Sequence, residues 1–273
     1  MPPILVGIPY DASSSFKRGA AAAPGLIRAA LHSPASNNWS EALVQVLGPN
    51  KLLDAGNLDV SHPAGARDRI EAAIRGVVAA GNRPISLGGD HSITYPIIRG
   101  FGPPYGSLTV LQVDAHGDLY SEFQGDRYSH ACPFARILEE GLVKRLVQVG
   151  IRTMNDEQRA NADRFGVETI DMRAWASGLR PRIEGPVYVS IDMDGFDPAF
   201  APGVSHREPG GLTAREVLTL IQGLDGPIVG ADVVEFNPSE DPIGLTAPLC
   251  AKLVKELAAK CLVTAQLPKS AAT

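Results

Sequence analysis

Six short apolar runs recur along the chain without the polar alternation of a half-exposed sheet: Ile4–Pro9, Pro84–Gly88, Leu108–Val113, Leu146–Ile151, Val187–Met193 and Ile228–Phe236. Strands of this kind are buried on both faces, which happens in parallel sheets covered by helices. Between them the apolar spacing turns helical, over Ala66–Ala80, Pro133–Glu140, Glu157–Phe165, Ala214–Leu224 and Pro248–Cys261. Thr246 stands where an N-cap of the last helix would, with Pro248 in its first turn. The order is βαβα, so the expected fold is α/β, a single three-layer domain with a mostly parallel central sheet over residues 1–273. At 273 residues the chain exceeds an average domain, yet one continuous α/β sheet can use all of it. There is no internal repeat, and the Ala-rich Gly19–Ala23 and polar Ser33–Trp39 are too short to act as linkers.

In such a sheet ligands bind at the carboxyl ends of the strands, so polar clusters there carry functional weight. Four occur: Gly88–Ser92, Asp114–Asp118, Ser190–Pro198 and Asp232–Pro238. Residues two apart on a strand point to one side, so Asp114, His116 and Asp118, and likewise Asp192 and Asp194, can each converge on one point. Carboxylates crowded at a dry sheet edge repel one another, and cations among them are the simplest way to keep them ionised. His91, Asp114, His116, Asp118, Asp192 and Asp194 supply enough donors for two cations with shared acids. An oxygen-rich set with imidazoles and no thiolate suits Mn²⁺, and Ni²⁺, Co²⁺ and Zn²⁺ are also compatible. Each cluster alone has a plainer reading, as a tight turn, a surface loop or a capping acid. All of them together, each ending an apolar strand, do not.

Other function classes fall away. A formal net charge of −5 without a long basic run argues against nucleic acid and anionic membranes as partners and for a small molecule. No apolar stretch reaches the roughly 18 to 20 residues of a membrane span, and Met1–Pro9 lacks the basic start and cleavage site of a signal peptide, so a cytoplasmic protein is expected. Cys132, Cys250 and Cys261 form no CxxC pair and read as reduced thiols. Neither GxGxxG after a strand nor GxxxxGK[ST] occurs. A Cys132–His130 nucleophilic dyad would lack an orienting Asn or Asp. Trp39 and Trp175 read as packing or surface residues.

The four clusters, in this order and spacing, resemble the ureohydrolase family, which includes arginase and agmatinase. The likeness runs from Gly7–Arg28, where Ser13-Ser14-Ser15-Phe16 and Ala23-Pro24 resemble the plant-type branch, to Leu253–Lys260. Tyr128–Ala131, Gln148–Arg152 and Pro198–Gly211 belong to the same pattern. The resemblance implies a binuclear manganese hydrolase that releases urea from a guanidino compound, assembled as a homo-oligomer, trimer or hexamer. It makes the six residues above the metal ligands, with Asp118 and Asp192 bridging. It also makes His130 the proton shuttle, Glu235 the guanidinium anchor, and Asp118 an acceptor that orients the attacking hydroxide.

Two departures concern detail. Position 117, commonly Thr, is Gly117, which is no ligand, and Val204-Ser205-His206 replaces small polar residues, so His206 either touches substrate or bonds within its own loop. For the substrate tail, Tyr120 stands where animal-type arginases hold the amino-acid carboxylate with Asn, and the neutral Asn155 where they grip the α-amino group with an acid. Agmatine is therefore expected to be hydrolysed faster than arginine. The alternatives are arginine itself, another small guanidino or formimino compound, and a silent metal-binding subunit. Retention of His130 and Glu235 speaks against the last.

Overall fold

The computed structural model describes residues 2–102 and 107–263, so the ends of the expected domain and residues 103–106 lie outside it. The six apolar runs form strands β1 (Pro3–Gly7), β3 (Arg83–Leu87), β4 (Thr109–Val113), β5 (Arg145–Ile151), β7 (Val187–Asp192) and β8 (Ile228–Val234). Two strands that the apolar pattern does not mark, β2 (Leu53–Asn57) and β6 (Glu168–Asp171), close the two edges. The order is β2-β1-β3-β8-β7-β4-β5-β6, and every described pairing is parallel.

Alternation along each strand splits the interior into two cores. Leu5, Leu111, Val113, Val147, Val149, Val187, Val189 and Ile191 pack with α1 (Ala23–Leu31), α6 (Met172–Ala176), α7 (Ala214–Gln222) and α8 (Thr246–Val263). Val6, Val110, Leu146 and Tyr188 pack on the other face with α2 (Ala66–Ala79), α3 (Thr94–Phe101), α4 (Pro133–Glu139) and α5 (Asp156–Phe165). Three layers result, as burial on both strand faces requires. Among the described residues no helix is long and apolar enough to cross a membrane.

Thr246 opens α8 but does not cap it with its side chain. Its hydroxyl accepts the Gly203 N–H at 2.9 Å, while the Asp241 carboxylate accepts the N–H groups of Leu245 and Thr246 at 3.2 and 2.8 Å. The acid five residues back thus satisfies the orphan donors that open the helix.

Candidate metal centre and active site

The chain returns to the middle of the sheet so that β3, β8, β7 and β4 lie side by side. Their carboxyl ends carry all four polar clusters, at the point where strand order reverses. The turn after β3 needs Gly89, because a Cβ there would lie 1.7 Å from the Tyr10 carbonyl oxygen. Beyond it the Asp90 carboxylate accepts the Ser92 N–H at 3.1 Å and starts the short 3₁₀ turn (His91–Ile93) that holds His91 inward.

His91 Nδ1 faces three carboxylate oxygens, of Asp114 at 3.2 Å, Asp118 at 3.0 Å and Asp192 at 3.1 Å. It is fully buried and makes no hydrogen bond to any of them. The other ring nitrogen settles the tautomer. The Ser190 hydroxyl donates to Asp232 at 2.6 Å and so accepts from His91 Nε2–H at 2.9 Å. Nδ1 of the neutral ring then carries a lone pair aimed at three acids, an arrangement that a cation between them would satisfy. Donors sharing one octahedral ion at about 2.1 Å sit roughly 3 Å apart, the spacing seen here. The residues fit a metal.

A second group surrounds His116 Nδ1, with Asp194 Oδ2 at 3.1 Å and Asp114 Oδ1 at 3.6 Å. Asp114 thus turns one oxygen to each histidine and is the acid common to both groups. Asp118 and Asp192, the pair expected to be shared, both face His91 Nδ1, and Asp114 stands beside them as a further acid placed to be shared. Asp192 presents Oδ2 to His91 and uses Oδ1 to accept the Asp194 N–H at 2.8 Å. Protons alone would have to balance these charges. Burial, then the Asp114 charge, pushes Asp118 up to about 6, and burial followed by Asp194 and Asp114 pushes Asp192 well above the carboxylate range.

Buried amides and hydroxyls behind the ligands orient them. Gln112 Nε2 donates to Asp114 at 2.7 Å, Gln148 Nε2 donates to Gln112 at 2.8 Å, and Thr169 donates to Gln148 at 3.1 Å. Asp232 accepts from Thr94, Tyr188 and Ser190 and reaches His91 only through Ser190. The sequence pattern passes over Gln112, Gln148, Thr169, Thr94 and Tyr188, because a single polar residue outside the strand-end clusters looks like filler. Their inward pairing appears only across elements of the fold.

His130 lies on the loop before α4 with its ring held at both ends. Nδ1 is 2.8 Å from Glu235 Oε1, and Nε2 is 3.2 Å from the Ser15 nitrogen and 2.8 Å from Ser15 Oγ. Glu235 Oε1 also accepts the His91 N–H at 2.8 Å, leaving Oε2 for a ligand. Burial opposes the His130 charge, but Glu235 outweighs it and raises the imidazole to about 9. Asp118 and Glu235 both adopt left-handed backbone, φ 50° and 61°. Strain of that kind is held where the surrounding structure fixes a side chain for use.

A cavity of about 310 Å³ opens over this centre, within the range of small-molecule sites. His116, Asp118, Asp192, Asp194, His130 and Glu235 line it; so do Tyr120, Asn155 and His206. His91 and Asp114 lie beneath, fully buried. Asn155 is the N-cap of α5, its Oδ1 accepting the Gln158 N–H at 3.0 Å. The His206 ring packs between those of His116, His130 and Phe16, with centroids 5.7, 5.5 and 5.5 Å away. A Cβ on Gly117 would meet Met154 Cε at 2.6 Å, so the missing side chain makes room for a cavity wall that includes Met154 and Gln158. Burial lifts the Cys132 thiol to about 12, which removes it as a nucleophile.

The arginase family model matches residues 2–259. The chain belongs to the arginase family. Arginase 1, mitochondrial, of Arabidopsis thaliana is 45% identical over 94% of this chain and 80% of its own length. The guanidinopropionase of Pseudomonas aeruginosa is 36% identical, over 98% of this chain and 88% of its own. The structure of the arginase from Medicago truncatula superposes with a TM-score of 0.91 at 41% identity, over 95% of this chain and 87% of that one. Family membership makes the protein a metal-dependent amidinohydrolase acting on guanidino C–N bonds, and the two His/Asp groups are its candidate metal sites.

Proposed function

We propose that the protein hydrolyses L-arginine to ornithine and urea. In this reading two divalent cations, manganese by preference, are held by His91, Asp114, Asp118 and Asp192 on one side and His116, Asp114 and Asp194 on the other. Cations there lower the pKa of neighbouring water and so make a nucleophile available near neutral pH. Glu235 offers Oε2 to the guanidinium, whose planar N–H donors match a carboxylate. Asp118 accepts a hydrogen bond from the attacking water and aims it at the guanidino carbon. The attacking water gives one proton to Asp118 as the C–O bond forms. As the C–N bond breaks, the leaving nitrogen takes a proton from His130, which Glu235 keeps charged, and the remaining hydroxyl proton passes to solvent as the urea carbonyl forms.

Asn155 carries the choice of arginine over agmatine. Capping commits its Oδ1 to Gln158, so the amide hydrogens on Nδ2 are what remains for a ligand. Donors suit a carboxylate and repel an ammonium. Tyr120, another donor, shares the wall. The likeness to the Arabidopsis and Medicago arginases supports the same substrate. This reverses the order expected from sequence, in which Asn155 counts as a weakened acid for the amino group. A shorter guanidino acid is the second reading, since it too brings a carboxylate to Asn155.

The test is kcat/KM for urea release from arginine, agmatine, 3-guanidinopropionate and 4-guanidinobutyrate under one manganese loading. Arginine should exceed agmatine by about tenfold or more, the usual effect of one charge-assisted contact. A preference for agmatine overturns the assignment.

A further inference from the structure

His130 is engaged at both ring nitrogens, which raises the question of how its proton enters the cavity. The Ser15 N–H points at Nε2, so in the neutral ring Nε2 holds the lone pair and the proton sits on Nδ1 toward Glu235. A second proton enters at Nε2, where Ser15 Oγ, 2.8 Å away, is the partner that can accept it; a backbone N–H cannot. Ser15 itself lines the cavity together with Asp118, Asp194 and Glu235. Its loop is pinned from behind, the buried Asp90 carboxylate accepting the Ser13 N–H at 2.9 Å and the Ser14 hydroxyl at 3.4 Å. The hydroxyl is therefore held between the imidazole and the space a substrate would fill.

We propose that Ser15 is a catalytic residue whose hydroxyl relays the proton from His130 to the leaving nitrogen, an inference that rests on the reading of this site as a guanidino hydrolase with His130 as acid. The His130 Nε2–H bond breaks and its proton joins Ser15 Oγ. The original Oγ–H proton moves to the leaving nitrogen, which keeps the electron pair of the breaking C–N bond. Ser15 ends as a neutral hydroxyl and His130 as a neutral imidazole.

Ser15→Ala removes the hydroxyl and keeps the backbone N–H on Nε2; Ser15→Thr keeps both. With arginine, Ser15→Ala should lower kcat about 10- to 100-fold, at the lower end of general-acid effects, with KM and metal content unchanged, and Ser15→Thr should recover most of it. Combined with His130→Asn, Ser15→Ala should cost nothing further, since the relay has lost its source. A normal kcat in Ser15→Ala, or an equal loss in the His130→Asn background, overturns the relay. The wild-type protein gives an independent check that needs no variant to fold, namely kcat in mixtures of light and heavy water. Two protons moving in one step give a curved dependence, and a straight line overturns the proposal. If the wild-type protein releases no urea from any guanidino compound, the reading of the site fails instead, so the two failures are distinguishable.

Discussion

Asp114 is the residue on which the two metal groups depend together, because its oxygens face different histidines. Asp114→Ala should abolish binding at both groups, whereas Asp118→Ala should leave roughly one ion per chain, each with activity down by about 10²-fold or more. Elemental analysis after manganese loading checks this, and equal retention in the two variants would contradict it. At His130 the pH dependence has a definite sign. Its folded pKa, about 9, lies above the ordinary 6.5 or so, so the pairing with Glu235 stabilises fully below pH ~6.5 and fades as pH rises through about 9. The stability gap between wild type and His130→Asn in urea unfolding should therefore shrink from pH 6 to pH 9.5, on the order of the titration range. The same variant should keep its metals, lose the alkaline limb of kcat, and turn over about 10² to 10⁴ times more slowly.

At the scale of elements, α5 joins stability to specificity through its N-cap, Asn155. Asn155→Ala removes the cap and should lower stability by about 0.5 to 2 kcal/mol. Asn155→Asp caps as well as Asn, but replaces the Nδ2 donors with a second oxygen that repels a carboxylate. Its melting temperature should match wild type while KM for arginine rises about tenfold and agmatine is spared. Unchanged arginine kinetics in Asn155→Asp would remove the ground for preferring arginine. The turns that end β4 and β8 hold Asp118 and Glu235 in left-handed backbone, so these acids reach the cavity through strand-end geometry and not through side-chain length.

Across the whole molecule, the centre joins strands from both halves of the sheet, β3 and β8 beside β7 and β4. Ions bound there link distant parts of the chain, and they bind only when the fold is complete. Chelation should lower the melting temperature and manganese should restore it, by about 2.7 kcal/mol for each ion at a hundredfold excess over Kd. The metal-free protein should also gain stability as pH falls toward 4, because Asp118 is raised to about 6 and takes up its proton earlier folded than unfolded. Differential scanning calorimetry with and without chelator measures both effects, and a melting temperature indifferent to metal would count against the two-ion centre.

The interior strands, the long helices and the six proposed ligands are legible in the sequence because burial on both faces and acids spaced by two are local patterns, readable without knowing the neighbours. The edge strands Leu53–Asn57 and Glu168–Asp171 are not, since polar, exposed residues become strands there only by pairing with β1 and β5. Helix α1 has no side-chain cap, and α3 carries Pro96 and Gly100 within a nearly all-buried segment, so neither shows the polar face that marks an amphipathic helix. Which acid faces both histidines and which residue holds His130 Nε2 were decided by the tertiary structure alone. Both depend on groups far apart in the chain, His91 with Asp114 and Ser15 with His130, the latter 115 residues apart, and only the fold brings those groups into contact.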